Sequence, residues 1–339
     1  MRRPGASAAL GLVVSCISLA AVVWWISGQD APKLPDTAAG WAWLIPAALV
    51  IVANFGLRGW RWHLILHRAG VPHRQRDAYG LTLVGYMGNN VLPARGGELL
   101  KIGLLGQRTT ARRREILGTV LVERVLDAAV LIVLLVAITW AGVEGAPGGR
   151  GGASLAAAGL LLAAAGLAAY LWLRRRGRFE RFAATIRPVA GALKVVASRQ
   201  GIPLALLTLV IWCLDATTFL FIARAIGFAL DPLAAMGVIV FASLAAAIPA
   251  APGYVGTFDA GMLLGLHAAD VQGGDAVGVL LLARFLFFVP VTLAGLAVLI
   301  FGYGAGAQLR RRISTAWNRS PSRMPASSSA NLSDQHSRT

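Results

Sequence analysis

Ten residues with chemical potential stand where an apolar chain has little reason to keep them: Asn89, Asn90, Arg95, Glu98, Glu123, Arg124, Asp127, Asp215, Asp259 and Arg284. Each lies inside an apolar block or at a break in one. Ionised groups at membrane depth are costly and persist mainly where they pair or perform a function. Glu123 and Asp127 are four apart, so on a helix they share a face, with Arg124 three from Asp127. Arginine keeps its charge and grips phosphate with a planar fork. Arg95, Arg124 and Arg284 therefore suit an anionic group, and the carboxylates would keep an empty site from excess positive charge. The same residues could instead neutralise one another, Arg124 with Asp127 or Glu98 and Arg284 with Asp259 or Asp215. Asn89 and Asn90 suit freed backbone at a break, and contact with a substrate is their second reading.

Other chemistries find little support. His63 and His67 have a spacing that could serve a metal, but no Cys, Glu or third His lies nearby. They read as interfacial histidines between tryptophans. No metal and no cofactor is expected. There is no GxGxxG, Walker loop or GxSxG, and the order of residues in GYVGTF is wrong for a carbonyl-lined pore. No catalytic motif argues for an enzyme.

These residues need elements to hold them. Of 339 residues, 57% are hydrophobic and 14% charged, with a mean hydropathy of +0.66, whereas a soluble domain carries about a quarter charged. Several apolar blocks reach the roughly 20 residues that cross a bilayer. The fold class is an all-α polytopic membrane protein. A net charge of +17 raises nucleic acid as a partner, but the Lys and Arg cluster between apolar blocks, as positive-inside loops do. Cys16 and Cys213 both lie inside apolar segments, which argues against a disulfide framework.

With the N-terminus inside, 6–26 crosses outward as a retained helix rather than a cleaved signal, and 41–57 returns to the basic segment RGWRWHLILHRAGVPHRQR. Both flanks of 78–106 are then basic. That segment is too short to cross twice, so it reads as a re-entrant hairpin broken by Pro93, Gly96 and Gly97, tolerated where protein or a wet cavity satisfies the backbone. Segments 115–140 and 155–173 cross next, followed by a basic inner stretch, 174–199. After 202–226 crosses, 233–267 forms a second hairpin from the opposite side, broken by Pro249, Pro252, Gly253 and Gly256. The last span is 276–302. The result is about six full transmembrane helices plus two re-entrant hairpins of opposite orientation. Residues 1–305 form the membrane domain and 306–339 a disordered cytoplasmic tail. Of the 32 Lys and Arg, 25 fall in the proposed inner segments.

The hairpins match one another in content. Pro93-Ala94-Arg95-Gly96 with Glu98 answers to Pro249-Ala250-Ala251-Pro252-Gly253 with Asp259, and each precedes a helix carrying Arg124 or Arg284. Opposite insertion with like content is an inverted repeat, the plan of many secondary transporters.

Three blocks, NNVLPARGGELLKIGLL, TVLVERVLDAAVLIVLL and AIPAAPGYVGTFDAGMLL, resemble in order and spacing the lysylphosphatidylglycerol synthase transmembrane-region family, also called flippase-like domain proteins. The likeness spans about residues 10 to 305. It implies a membrane domain that moves a phospholipid between leaflets, with Asn90, Pro93, Arg95, Gly97, Glu98, Glu123, Arg124, Asp127, Pro249, Pro252, Gly253 and Gly256 as its marked positions. Asp259 stands where the family often has Glu. Bifunctional relatives add a soluble synthase domain, for which the short tail leaves no room. The expectation is a translocator of an anionic phospholipid or isoprenoid-linked lipid in the bacterial inner membrane, both termini cytoplasmic. With no ATP site, transport would be passive or ion-coupled. The alternative is a membrane enzyme acting on a lipid-linked phosphate, or a helper of a separate lipid synthase or glycosyltransferase.

Overall fold

The computed structural model describes residues 20, 23–24, 27–28, 30–92, 95–141, 201–247 and 252–304. Most of the first expected span, the 155–173 span, the basic stretch 174–199, the tail, and the break prolines Pro93 and Pro249 lie outside the described residues. The elements are α1 (Ala38–Arg68), α2 (Gln75–Val91), α3 (Gly96–Leu105), α4 (Arg113–Trp140), α5 (Gly201–Ala225), α6 (Pro232–Ala245), α7 (Thr257–Ala268) and α8 (Gly273–Ala297), the last running into a π-turn, Val298–Gly302. Every described element is helical, and three are long and apolar enough to cross a membrane: α1, α5 and α8 with its π-turn. α4 has the length, at 28 residues, but holds Glu123, Arg124 and Asp127 in its middle.

Helix ends follow local chemistry. The Thr37 hydroxyl accepts from the Gly40 N–H at 3.0 Å, and Asp231 accepts from the Leu233 N–H at 2.8 Å ahead of Pro232 at the first turn of α6. Such side chains satisfy donors that no turn of helix can reach. α1 is longer than the sequence suggests. Its 31 residues carry it through Leu57 to Arg68, so Arg58 and Arg61, expected in an inner basic loop, are instead buried inside the protein.

Both expected hairpins are present. α2 packs antiparallel on α3, and α6 on α7. Small residues let the arms meet backbone to backbone. A Cβ on Gly97 would strike the Gly85 carbonyl, and one on Gly261 would lie 2.6 Å from the Phe241 carbonyl. Close approach of this kind is the usual membrane helix contact.

The bases of the hairpins lie at opposite ends of α8. At its start, the Lys33 N–H donates to the Gly274 carbonyl at 2.9 Å and Lys33 pairs with Asp275 at 3.1 Å, beside the base of the α6–α7 hairpin. At its finish, Arg108 donates to the Gly302 carbonyl at 2.6 Å and pairs with Asp77 at 2.9 Å, and Tyr303 donates to the same carboxylate at 3.1 Å. Those residues sit at the base of the α2–α3 hairpin. The 30 residues between span about 45 Å at 1.5 Å per residue. The two hairpins therefore enter from opposite ends.

Candidate functional site

The hairpin tips meet in the middle of the molecule. Arg95, between α2 and α3, donates to the Ala246 carbonyl at the end of α6 at 2.9 Å and lies over the Tyr254 ring at 5.7 Å. Arg95 holds a left-handed backbone (φ 55), uncommon for a residue with a Cβ. Gly96 and Gly97 are already helical, so the expected glycine break falls one residue earlier. The second tip turns on Gly253 (φ 69), Tyr254 (φ 53) and Gly256 (φ 88).

Beside these tips lies a cavity of about 410 Å³, a size that suits a headgroup-scale ligand. Its lining is aromatic at Phe55, Trp212, Phe258, Phe287 and Phe288, and polar at Arg58 of α1, Tyr86 and Asn90 of α2, Arg95 before α3, Arg124 and Asp127 of α4, and Asp215 of α5. A second hollow, about 560 Å³, sits at the far end among Asp231, Asp270 and Asp275. There Asp231 is occupied as a cap and Asp275 by Lys33.

Two ion networks back the cavity. In the first, Arg58 donates to Asp215 at 2.5 Å, to Asn54 at 2.8 Å and to the Tyr86 hydroxyl at 2.5 Å, while Asn54 donates to the other Asp215 oxygen at 2.8 Å. In the second, Arg61 grips both oxygens of Asp127, at 2.6 and 3.3 Å. It also lies 3.8 Å from Glu123, which Lys101 holds at 2.7 Å. The Lys101 ammonium sits 3.6 Å from the Trp62 ring centroid. Arg124 pairs with Glu98 at 2.7 Å and lies 3.7 Å from Asp127. The first contact is a charge pair whose atoms are poorly aligned for a hydrogen bond.

Of the ten residues marked in the sequence, Asn90, Arg95, Arg124, Asp127 and Asp215 line the cavity. Glu98 and Glu123 stand behind it as partners. Three serve the tips instead. Asn89 accepts from the Gly97 N–H at 3.1 Å. Asp259 accepts from the Gly256 N–H at 2.8 Å and from Arg284 at 2.5 Å. Arg284, expected with the cavity cations, lies outside the wall and donates to the Gly253 carbonyl at 2.7 Å. The tip frees those carbonyls from helical bonding, so a nearby guanidinium is drawn to them. Sequence reasoning missed Asn54, Arg58 and Arg61. Their signal was helical spacing, positions four and three apart on one face, obscured by reading the helix as ending at Leu57. Tyr86, Trp212 and Tyr254 carried no such signal. No group of three or more His, Cys, Asp or Glu among the described residues could hold a metal.

The sequence pattern of the lysylphosphatidylglycerol synthase TM region matches residues 8–295. A protein of Haloferax volcanii named glycosyltransferase AglD is 26% identical over 292 aligned positions, 74% of this chain and 47% of that protein. A UPF0104 membrane protein of Methanothermobacter thermautotrophicus is 24% identical over 345 aligned positions, 90% of this chain and 98% of that protein. The chain thus spans about half the length of the first relative and nearly all of the second.

Proposed function

Because the chain belongs to the lysylphosphatidylglycerol synthase transmembrane-region family, we propose that it translocates an anionic lipid between leaflets. The headgroup occupies the central cavity and the acyl chains remain in the bilayer. The observation that carries this reading is Arg95. It lines the cavity at the meeting point of both tips, and among the described residues it has no carboxylate partner. The other cavity cations, Arg58 and Arg124, already have carboxylates. An anionic headgroup gives Arg95 the partner it lacks, by a charge-assisted bond. Trp212, which also lines the cavity, has a buried indole N–H without an acceptor among the described residues, and a phosphate or hydroxyl oxygen would satisfy it. The cavity is too small for a whole phospholipid, which favours a headgroup slot over an enclosed lipid site. We place the protein in the plasma membrane with the Arg108 end of the molecule cytoplasmic, following the basic loops there.

The test is translocation in liposomes. The full chain should expose fluorescently tagged phosphatidylglycerol to an external quencher without altering its mass, and Arg95→Gln should slow exposure roughly 10- to 100-fold, the weight of about 1.5–3 kcal/mol for a bond to a charged group. A lipid of changed mass would replace this reading with an enzymatic one. The relative named a glycosyltransferase favours one second reading, a helper for a glycosyl-transferring enzyme. That reading predicts copurification with the enzyme and no lipid movement alone.

A further inference from the structure

Five cations and four carboxylates form the charge cluster at the cavity: Arg58, Arg61, Lys101, Glu123, Asp127 and Asp215 are buried, and Arg95, Arg124 and Glu98 are half-buried. The Arg284–Asp259 and Arg108–Asp77 pairs close on themselves. With every group ionised, the cluster holds one positive charge in excess, on the half-buried Arg95, and an unpaired charge at membrane depth is costly. A singly charged headgroup at Arg95 removes the excess. When the site is empty, relief must come from losing a proton, and four of the five cations are arginines, which do not lose one in proteins. Lys101 is the exception, because buried lysines titrate readily.

From this we infer that the protein couples each anionic lipid to one proton, carried by Lys101. This rests on the translocation reading above and adds its energy source. Loaded, the cluster holds the headgroup charge and a Lys101 ammonium. Empty, it holds neither, and both forms are neutral. The first proton step is short. On release, the N–H bond at Lys101 Nζ breaks, its electron pair stays on nitrogen, and the proton bonds to Glu123 Oε2, 2.7 Å away. To complete the release, Glu123 must pass this proton on to water. Uptake is the reverse. Lys101 lies on α3, the 10-residue hairpin arm that Arg95 immediately precedes, so headgroup and proton act at the same element. Its other neighbours leave it as the titrating group. α4 offers Glu123, Arg124 and Asp127, α1 offers Arg61 and the Trp62 ring, and Glu98 on its own helix is held by Arg124. α2 meets it with Gly85, whose absent Cβ would lie 3.3 Å from Lys101 Cδ, and the one carboxylate of α2, Asp77, is held by Arg108.

The experiment uses the full chain in vesicles holding tagged phosphatidylglycerol, read by an external quencher and referred to protein-free vesicles. Outside acid by about one pH unit should raise the inner-to-outer ratio of label roughly tenfold, since one unit is worth a factor of ten for one proton per lipid. A potassium diffusion potential should change nothing, because both forms are neutral. In Lys101→Arg, which keeps a cation beside Glu123 but cannot release a proton, the label should stop following pH and start following the potential. Wild type that moves label but ignores the pH gradient overturns the coupling and leaves translocation standing. A Lys101→Arg protein that responds like wild type overturns it too. Absence of any label movement overturns the translocation reading and the coupling with it. Should Lys101→Arg fail to fold, the paired pH and potential responses of the wild type decide alone.

Discussion

Asp215 meets Arg58 at 2.5 Å, both buried at the edge of the cavity, with Asn54 filling the remaining oxygen. Forming such a pair from water gains little net, because desolvation offsets the attraction. Removing one member is another matter, since the survivor stays buried and charged. Asp215→Asn should therefore lower stability by about 3–5 kcal/mol, whereas replacing the pair with Arg58→Met and Asp215→Leu should recover most of it. Thermal unfolding in detergent checks both. A double variant as unstable as the single one would show that the pair stabilises through geometry rather than charge balance. Asp215 was legible because a lone carboxylate in an apolar block is conspicuous. Arg58 was not, because an Arg in RGWRWHLILHR beside other basic residues looks like an interfacial charge. Only the course of α1 beyond Leu57 distinguishes the two. Arg284 shows the converse. Its type and setting matched Arg95 and Arg124, yet the free carbonyls at Gly253 and Tyr254 and the Asp259 carboxylate draw it behind the wall.

At the scale of elements, the two hairpins use one device. Glycines on facing arms remove the side chains that would separate them, at Gly85, Gly88 and Gly97 in the first hairpin and at Gly261 and Gly265 in the second. Gly97 is the tightest of these. An added Cβ there would strike the Gly85 carbonyl and crowd Asn89, the residue that caps the Gly97 N–H. Gly97→Ala should push α3 off α2, at a cost of about 1–3 kcal/mol for overpacking, and should carry Arg95 out of register with Ala246. Unfolding midpoints should fall and lipid exposure should slow together. Gly103→Ala, on the same helix with nothing within 4 Å of its Cβ, should leave the midpoint unchanged. Equal effects from the two would mean that α3 has low tolerance for alanine in general. The existence of the hairpins was readable from proline–glycine breaks between like-charged flanks. The left-handed Arg95 was not, because which residue takes the strained conformation depends on how Asn89 and Gly97 lock the arms after folding.

For the whole molecule, the central fact is that a single helix joins the bases of both hairpins. α8 starts beside Lys33 and the acidic loops at one end and finishes against Arg108, Asp77 and Tyr303 at the other. Large apolar side chains such as Ile45, Val52, Ile132, Val133, Ile202 and Leu293 remain exposed between those ends, as expected of a surface solvated by lipid rather than water. If that band is the bilayer-facing surface, Gln107 and Gln272, next to the two hairpin bases, must face opposite compartments. Cysteines placed there singly, with Cys16 and Cys213 replaced, should label with an impermeant maleimide from opposite sides of oriented vesicles. Labelling from one side would mean that one hairpin is a full span, and the tips would then not meet at mid-depth. The charge pattern anticipated this inversion, since basic residues crowd the Gln107 end while Asp231, Asp270 and Asp275 mark the other. It also overcounted, because Arg58 and Arg61, counted with the inner loops, are buried in the ion networks. The bias therefore marks orientation through the remaining loop charges, while these two arginines belong to the site.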